Sequence, residues 1–281
     1  MIVQQRNKII NRPKERPIVY DLFFNSTIKK APLLIFCHGY KGFKDWGAWN
    51  LWAKAFASRG VAFLKFNFSY NGGTRAQPID FPDLKAFAEN NYSKELNDLS
   101  DVIDWVSATQ KTNSSIDLQS IYLMGHSRGG GIVAIKASED DRVKKLITLA
   151  GVSDYKSRFP KGEALKQWKK DRVYYVENKR TQQLMPHNIQ FYQDFLAHEQ
   201  RLNIKKAVES CSIPHLIIHG DADETVSIEE AKQLHAWNSS SVFLTIVGGN
   251  HVFGAKHPWI KSDLPLEMVE IYTEILNFIN N

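Results

Sequence analysis

Residues Gly125-His126-Ser127-Arg128-Gly129 set a serine between two glycines, directly behind the short apolar run Ile121–Met124. A serine hydroxyl is a weak nucleophile until a neighbouring base takes its proton, so this one needs an imidazole and an acid to orient that imidazole. Both follow in chain order. Asp223 stands after the apolar run His215–Gly220, and His251 stands after the next run, Val242–Gly249. Asp223 lies 96 positions after Ser127, and His251 lies 28 positions after Asp223. A Gly-x-Ser-x-Gly turn between a strand and a helix lifts the serine above the sheet edge. It also directs the helix N-terminus at the reacting atoms.

Each position has rivals. Asp221 and Glu224 flank Asp223, and Asp154 follows the preceding apolar run. Asp221 reads as a turn residue bonding local backbone, and Glu224 as a solvated loop charge. His215 and His219 lie in or beside a strand and read as packed histidines. His126 points into the fold, and His38 braces its own loop. His257, six positions past His251, is the remaining candidate base. A tetrahedral oxyanion needs two pre-placed donors. The main-chain N–H of Arg128, following the serine, is one; the other is expected from the loop after Leu33–Cys37, at Tyr40 in His38-Gly39-Tyr40. In that loop Lys41, Lys44 and Trp46 either contact substrate or read as solvated lysines and a packing tryptophan, the second being the expectation. Asn71 and Arg75, in a later loop, are candidates for the pocket wall.

The elements that must position these residues alternate. Ile18–Phe24 reads as a strand that forms a hairpin with Ile2–Ile10 across the Pro-rich turn at 11–17. Leu33–Cys37, Val61–Phe68, Ile121–Gly125, Lys145–Gly151, His215–Gly220 and Val242–Gly249 are further strands, several of them continuous apolar runs that suit burial on both faces. Trp49–Gly60 is spaced as a helix and ends on glycine. Leu96, Leu99, Val102, Ile103 and Val106 share one helical face, and helices are expected near Ile228–Trp237 and Leu266–Ile279. Such alternation predicts a mostly parallel sheet of about eight strands with helices on both faces. Between the sixth and seventh strands the alternation stops for a polar, aromatic insert whose second half reads as helix. Residues 1–152 and 211–281 are therefore expected to form one catalytic domain, and 153–210 a cap.

The chain resembles the α/β-hydrolase superfamily over nearly its whole length. The matching stretches are GHSRGG for the nucleophile, HGDADETV for the acid, GGNHVF for the histidine and HGYKGFKDW for the oxyanion loop. Within it the chain is similar to dienelactone-hydrolase-like, cinnamoyl or feruloyl esterase-like and serine aminopeptidase-like members. Dienelactone hydrolases proper use a cysteine nucleophile, so their substrate does not carry over. The resemblance implies an α/β-hydrolase fold with Ser127, Asp223 and His251 as the triad, the acid falling on Asp223 through the pattern HG-x-x-D-x-x-V.

Composition narrows the activity. The net charge is +6, and residues 152–210 hold 12 Lys/Arg against 7 Asp/Glu, so the basic excess is concentrated in the insert. No arginine-rich arm or zinc-finger spacing accompanies it, and no nucleic-acid partner is expected. No HExxH, paired-cysteine or Ca²⁺-loop pattern occurs, and no phosphate-cradling loop, so neither metal nor cofactor is expected. Cys37 and Cys211 read as small buried hydrophobes in a reducing compartment. With no apolar signal core and no membrane-length apolar stretch, a cytoplasmic protein without a membrane partner is expected, as monomer or homodimer. The insert aromatics Phe159, Trp168, Tyr174, Tyr175, Phe191, Tyr192 and Phe195 are divided between pocket wall and insert core. The expected activity is hydrolysis of a small-molecule carboxylic ester, with a small or aromatic acyl group, through an acyl-enzyme. The alternatives are an aminopeptidase or acyl-peptide hydrolase, and a non-catalytic binding module on the same scaffold.

Overall fold

A computed structural model describes residues 1–281. Eight strands form one sheet: β1 (Ile2–Ile10), β2 (Ile18–Asn25), β3 (Ala31–Cys37), β4 (Ala62–Phe66), β5 (Ile116–His126), β6 (Val143–Leu149), β9 (His215–Gly220) and β10 (Val242–Ile246). Their spatial order is β1-β2-β4-β3-β5-β6-β9-β10. β1 pairs antiparallel with β2, and β2 with β4; all other pairs are parallel. The hairpin expected at the N-terminus is thus the antiparallel edge of an otherwise parallel sheet.

Period-two alternation divides the central strands between two cores. Leu33, Ile35, Cys37 and Leu123 face one, with α3 (Tyr92–Thr109), α4 (Arg128–Glu139), α7 (Ile204–Ser210) and α8 (Ile228–Trp237). Leu34, Phe36, Tyr122 and Met124 face the other, with α1 (Trp49–Ser58) and α9 (Leu266–Asn280). In α3, Asn91 caps the first turn by accepting the Lys94 N–H at 2.8 Å. Its Leu96, Leu99, Val102, Ile103 and Val106 are buried, each contributing about 1.5–3 kcal/mol of apolar burial. Gly60, just past α1, has φ +82°, the left-handed conformation that ends a helix without a Cβ clash.

The short helix α2 (Leu84–Ala88) has no counterpart in the sequence reading, because one turn shows no periodicity; Asp83 caps it. Between β6 and β9 the chain forms a 3₁₀ turn at Lys156–Arg158, α5 (Gly162–Asp171), the antiparallel hairpin β7 (Val173–Asn178) and β8 (Gln183–Asn188), α6 (Gln190–Ala197) and then α7. The hairpin lies within the stretch of the insert that the sequence left without elements. α7 buries Ile204, Ala207 and Val208 in the main core beside α4 and α8. No helix is long and apolar enough to cross a membrane.

Candidate active site

β5 ends at His126, α4 begins at Arg128, and Ser127 is the single residue between them, at φ 57° and ψ −120°. A side-chain-bearing residue there costs about 1–3 kcal/mol, which the surroundings must hold in place. Ser127 N–H donates to Leu149 O at 2.9 Å, and its carbonyl accepts from Gly130 N–H at 2.9 Å and Val152 N–H at 3.2 Å. The turn also needs its glycines. A Cβ on Gly125 would sit 2.2 Å from Gly129 O, and one on Gly129 would sit 2.5 Å from Cys37 O. Both obstacles are backbone. The Ser127 hydroxyl makes no protein hydrogen bond and opens onto the cavities described below, and the Arg128 N–H is the first of its helix.

His251 Nδ1 donates to Asp223 Oδ2 at 2.8 Å, which leaves Nε2 as the basic nitrogen. The Asp223 carboxyl group, fully buried, also accepts the Thr225 and Val226 N–H groups at 2.8 and 2.9 Å. A second imidazole meets it: His219 Nε2, at the end of β9, donates to Val226 O at 2.8 Å and lies 3.2 Å from Asp223 Oδ2. Burial alone would raise the Asp223 pKa. The hydrogen bonds from His219, His251 and Val226 outweigh it and hold the carboxylate far below its usual range. His126 Nε2 donates to the His251 carbonyl at 2.8 Å, fixing that loop against the elbow. Burial, then the neighbouring His251, lowers the His126 pKa to about 3, so the brace is neutral.

The loop after β3 carries Tyr40, whose N–H makes no intramolecular hydrogen bond. His38 holds this loop, donating from Nδ1 to Gly39 O at 2.9 Å and accepting the Phe68 N–H at Nε2 at 3.3 Å. Burial lowers its pKa to about 4. Lys44 overturns one expectation, since it is completely buried rather than solvated. Its Nζ lies 2.9 Å from Asp21 and 2.6 Å from Asp45, and Lys65 Nζ lies 2.6 Å from each of the same two carboxylates. Two lysines and two aspartates therefore alternate around a buried ring that ties the loop to β2 and β4. Lys65 interrupts an apolar strand, and that is its only trace in the sequence; its partners come from other elements.

Two cavities meet at Ser127. The larger, about 410 Å³, has aromatic walls that include Tyr155, Phe159, Trp168, Tyr174 and Phe191. The smaller, about 230 Å³, is lined by both Ser127 and His251. No carboxylate lines either one. The Arg128 side chain enters the larger cavity, 4.4 Å from the Tyr40 ring centroid and 3.3 Å from Glu95 Oε1. Burial opposes its charge, but Glu95 and the surrounding tyrosines outweigh that and raise its pKa. The sequence pattern implicates only the main-chain N–H of Arg128; its side chain has no local signal. Of the insert aromatics, Phe195 packs on Phe159 at 4.9 Å, Tyr192 is partly buried against the core, and Tyr175 is exposed.

Of the rivals, His219, His126 and His38 serve this cluster as braces, and the other five make their contacts elsewhere. Asp221 accepts the Gly248 N–H at 2.6 Å, Glu224 is exposed, and Asp154 accepts the Lys156 and Ser157 N–H groups at 2.9 and 2.8 Å. His257 accepts the Gly47 N–H at 3.0 Å and packs edge-on to Phe43. His215 bonds Thr148 Oγ1 at 3.0 Å within the sheet. Asn71 and Arg75 line neither cavity at Ser127. The contact between His219 and Asp223 escaped the sequence reading. Its one signal is their spacing across the end of β9, which a packed strand histidine shares.

Comparisons with known proteins agree with this architecture. The chain is 30% identical over 128 residues to an uncharacterized 31.7 kDa protein in the traX-finO intergenic region of Escherichia coli, covering 44% of this chain and 39% of that one. It is 27% identical over 135 residues to the quorum-quenching protein AidA of Acinetobacter baumannii, covering 47% and 40% respectively. The chain thus spans about two-fifths of the length of these curated relatives. Among solved structures, Est1E from Butyrivibrio proteoclasticus with bound ferulic acid superposes with a TM-score of 0.70 at 22% identity, over 93% of this chain and 95% of that one. The fold is that of the α/β-hydrolases. Residues 53–260 match the prolyl oligopeptidase family, and the chain belongs to that family.

Proposed function

We propose that this protein is a serine hydrolase that cleaves carboxylic esters carrying an aromatic or other apolar acyl group, with Ser127, His251 and Asp223 as its triad. One observation carries the reading: His251 is hydrogen-bonded to a buried carboxylate and shares a cavity with a serine held at a strained strand–helix turn. His251 Nε2 takes the proton as Ser127 Oγ, rotated toward it, attacks the carbonyl carbon. The oxyanion is met by the N–H groups of Tyr40 and Arg128. Asp223 holds the imidazole in the required tautomer and stabilises its charged form. The proton then passes from His251 to the departing alcohol, leaving an acyl-enzyme, which water hydrolyses with His251 again as base. No step calls on a metal or cofactor.

A peptidase reading is favoured by the family's description, and an aminopeptidase would need an acidic anchor for the substrate's amine. Neither cavity offers a carboxylate, which supports the ester. The test is labelling by a fluorophosphonate probe in wild type and in Ser127→Ala, with turnover of nitrophenyl esters set against aminoacyl anilides. Labelling lost in the variant, with esters preferred, is the expected outcome. Faster turnover of anilides would move the assignment to a peptidase. A folded wild type that resists the probe and turns over neither substrate would leave a binding module.

A further inference from the structure

The two cavities at Ser127 differ in one respect that bears on the reaction. His251 lines the smaller and not the larger. In an ester hydrolase the departing oxygen must receive its proton from His251 Nε2, since Nδ1 is engaged with Asp223. A leaving group protonated there extends on the His251 side, into the cavity of about 230 Å³. The acyl group then occupies the aromatic cavity of about 410 Å³.

Four cationic side chains line the two spaces: Arg128 and Arg158 in the larger, Lys41 and Arg180 in the smaller. Three are ion-paired, Arg128 with Glu95, Arg158 with Glu230 and Arg180 with Asp80. Lys41 forms no ion pair; its Nζ donates to the Glu177 main-chain carbonyl at 3.2 Å. Partial burial pulls its pKa down, and the Glu177 carboxylate only partly offsets this, so an arriving anion would relieve a real cost. The loop sets Lys41 at φ 52°, directly after Tyr40 and its oxyanion-facing N–H. The wall of the same cavity also holds Asn178, whose buried amide nitrogen has no hydrogen-bond partner.

Resting on the ester-hydrolase reading, we propose that the smaller cavity receives the leaving group, and that this group is an alcohol or phenol bearing an anionic substituent recognised by Lys41. The proton balance is unchanged: the proton that Ser127 gives His251 leaves on the departing oxygen, and Lys41 keeps its own.

The test uses two esters with one acyl group, 4-nitrophenyl butyrate and 3-carboxy-4-nitrophenyl butyrate. Both give the same acyl-enzyme, so deacylation is common to them and any discrimination appears in kcat/KM. The ratio of kcat/KM values, charged over neutral, is divided by the ratio of their rates in buffer. In wild type it should be about 5- to 20-fold, between the worth of an exposed and a buried ion pair, and should fall with added salt. Lys41→Gln should bring it near unity, and Lys41→Arg should largely restore it. With 4-nitrophenyl hydrogen glutarate, where the charge sits on the acyl side, Lys41→Gln should not alter preference relative to the butyrate. A wild-type ratio near unity, or a ratio unaffected by Lys41→Gln, overturns the proposal. An effect on the glutarate ester instead overturns the assignment of the two cavities. Turnover of the neutral butyrate and its loss in Ser127→Ala report separately on the hydrolase reading.

Discussion

Asp223→Asn is the most exacting perturbation of the proposed triad. The native carboxylate accepts four N–H groups: Thr225 and Val226 at Oδ1, and His251 and His219 around Oδ2 at 2.8 and 3.2 Å. Asparagine can keep its oxygen toward Thr225 and Val226, but its NH₂ then faces two imidazole N–H groups. His251 escapes by moving its proton to Nε2, and in that tautomer it cannot accept a proton from Ser127. Restoring the useful tautomer gives up a hydrogen bond to a charged group, about 1.5–3 kcal/mol. Removing the charge opposite the imidazolium costs about 2–3 kcal/mol more at an effective dielectric constant near 20. Together these amount to roughly 10³–10⁴ in rate, at 1.36 kcal/mol per factor of ten. The assay is kcat/KM on a nitrophenyl ester, with circular dichroism to show that the variant is folded. Asp221→Asn and Asp154→Asn are the controls and should each change kcat/KM by less than about threefold, as expected of exposed turn residues. A folded Asp223→Asn enzyme within about 30-fold of wild type would refute the reasoning, since so small a loss falls well short of an intact triad's dependence on its acid.

Two further outcomes follow from buried charge. Burial lowers the pKa values of His126, His187 and His215 to about 3 and that of His38 to about 4, against 6.5 ordinarily. Below about pH 6.5 the unfolded chain therefore binds more protons, so stability is full above that value and falls as pH drops toward 4, by up to about 1.4 kcal/mol per pH unit for each histidine. Asp98, which burial raises to about 6 against the pull of Arg12, opposes this over part of the range without cancelling it. Urea midpoints measured from pH 7.5 to pH 5 should decline, and a flat profile would contradict the burial of these rings. Lys44→Met leaves the buried Asp21 and Asp45 with Lys65 and with the half-exposed Arg6, which lies 3.5 Å from Asp21 and 3.1 Å from Asp45. It should cost about 3–5 kcal/mol in urea unfolding, and a loss below about 1 kcal/mol would show that the ring contributes little.

The alternation of strands and helices, the antiparallel first hairpin, the elbow at Ser127 and the end of α1 at Gly60 were all legible in the chain, because each depends on neighbours within a few residues. Period-two and period-3.6 patterns record which face is buried, and glycine records where a Cβ cannot fit. The hairpin at 173–188 was not legible: burial alternates from Tyr174 to Asn178, but the exposed Tyr175 is an aromatic like its inward neighbour and the buried Asn178 is polar, so the residue types do not record the alternation. Lys44 showed the same limit more sharply. A lysine in a glycine-bearing loop reads as solvated, and only the pairing of β2 with β4 brings Asp21 opposite Lys65 and within reach of Lys44. The contact of His219 with Asp223, the entry of Arg128 into the aromatic cavity and the absence of an ion pair at Lys41 likewise depend on strand order and on the path of the insert. Sequence carries what local geometry and burial dictate; which charge faces which is decided by long-range packing, where residues far apart in the chain share a low-dielectric space.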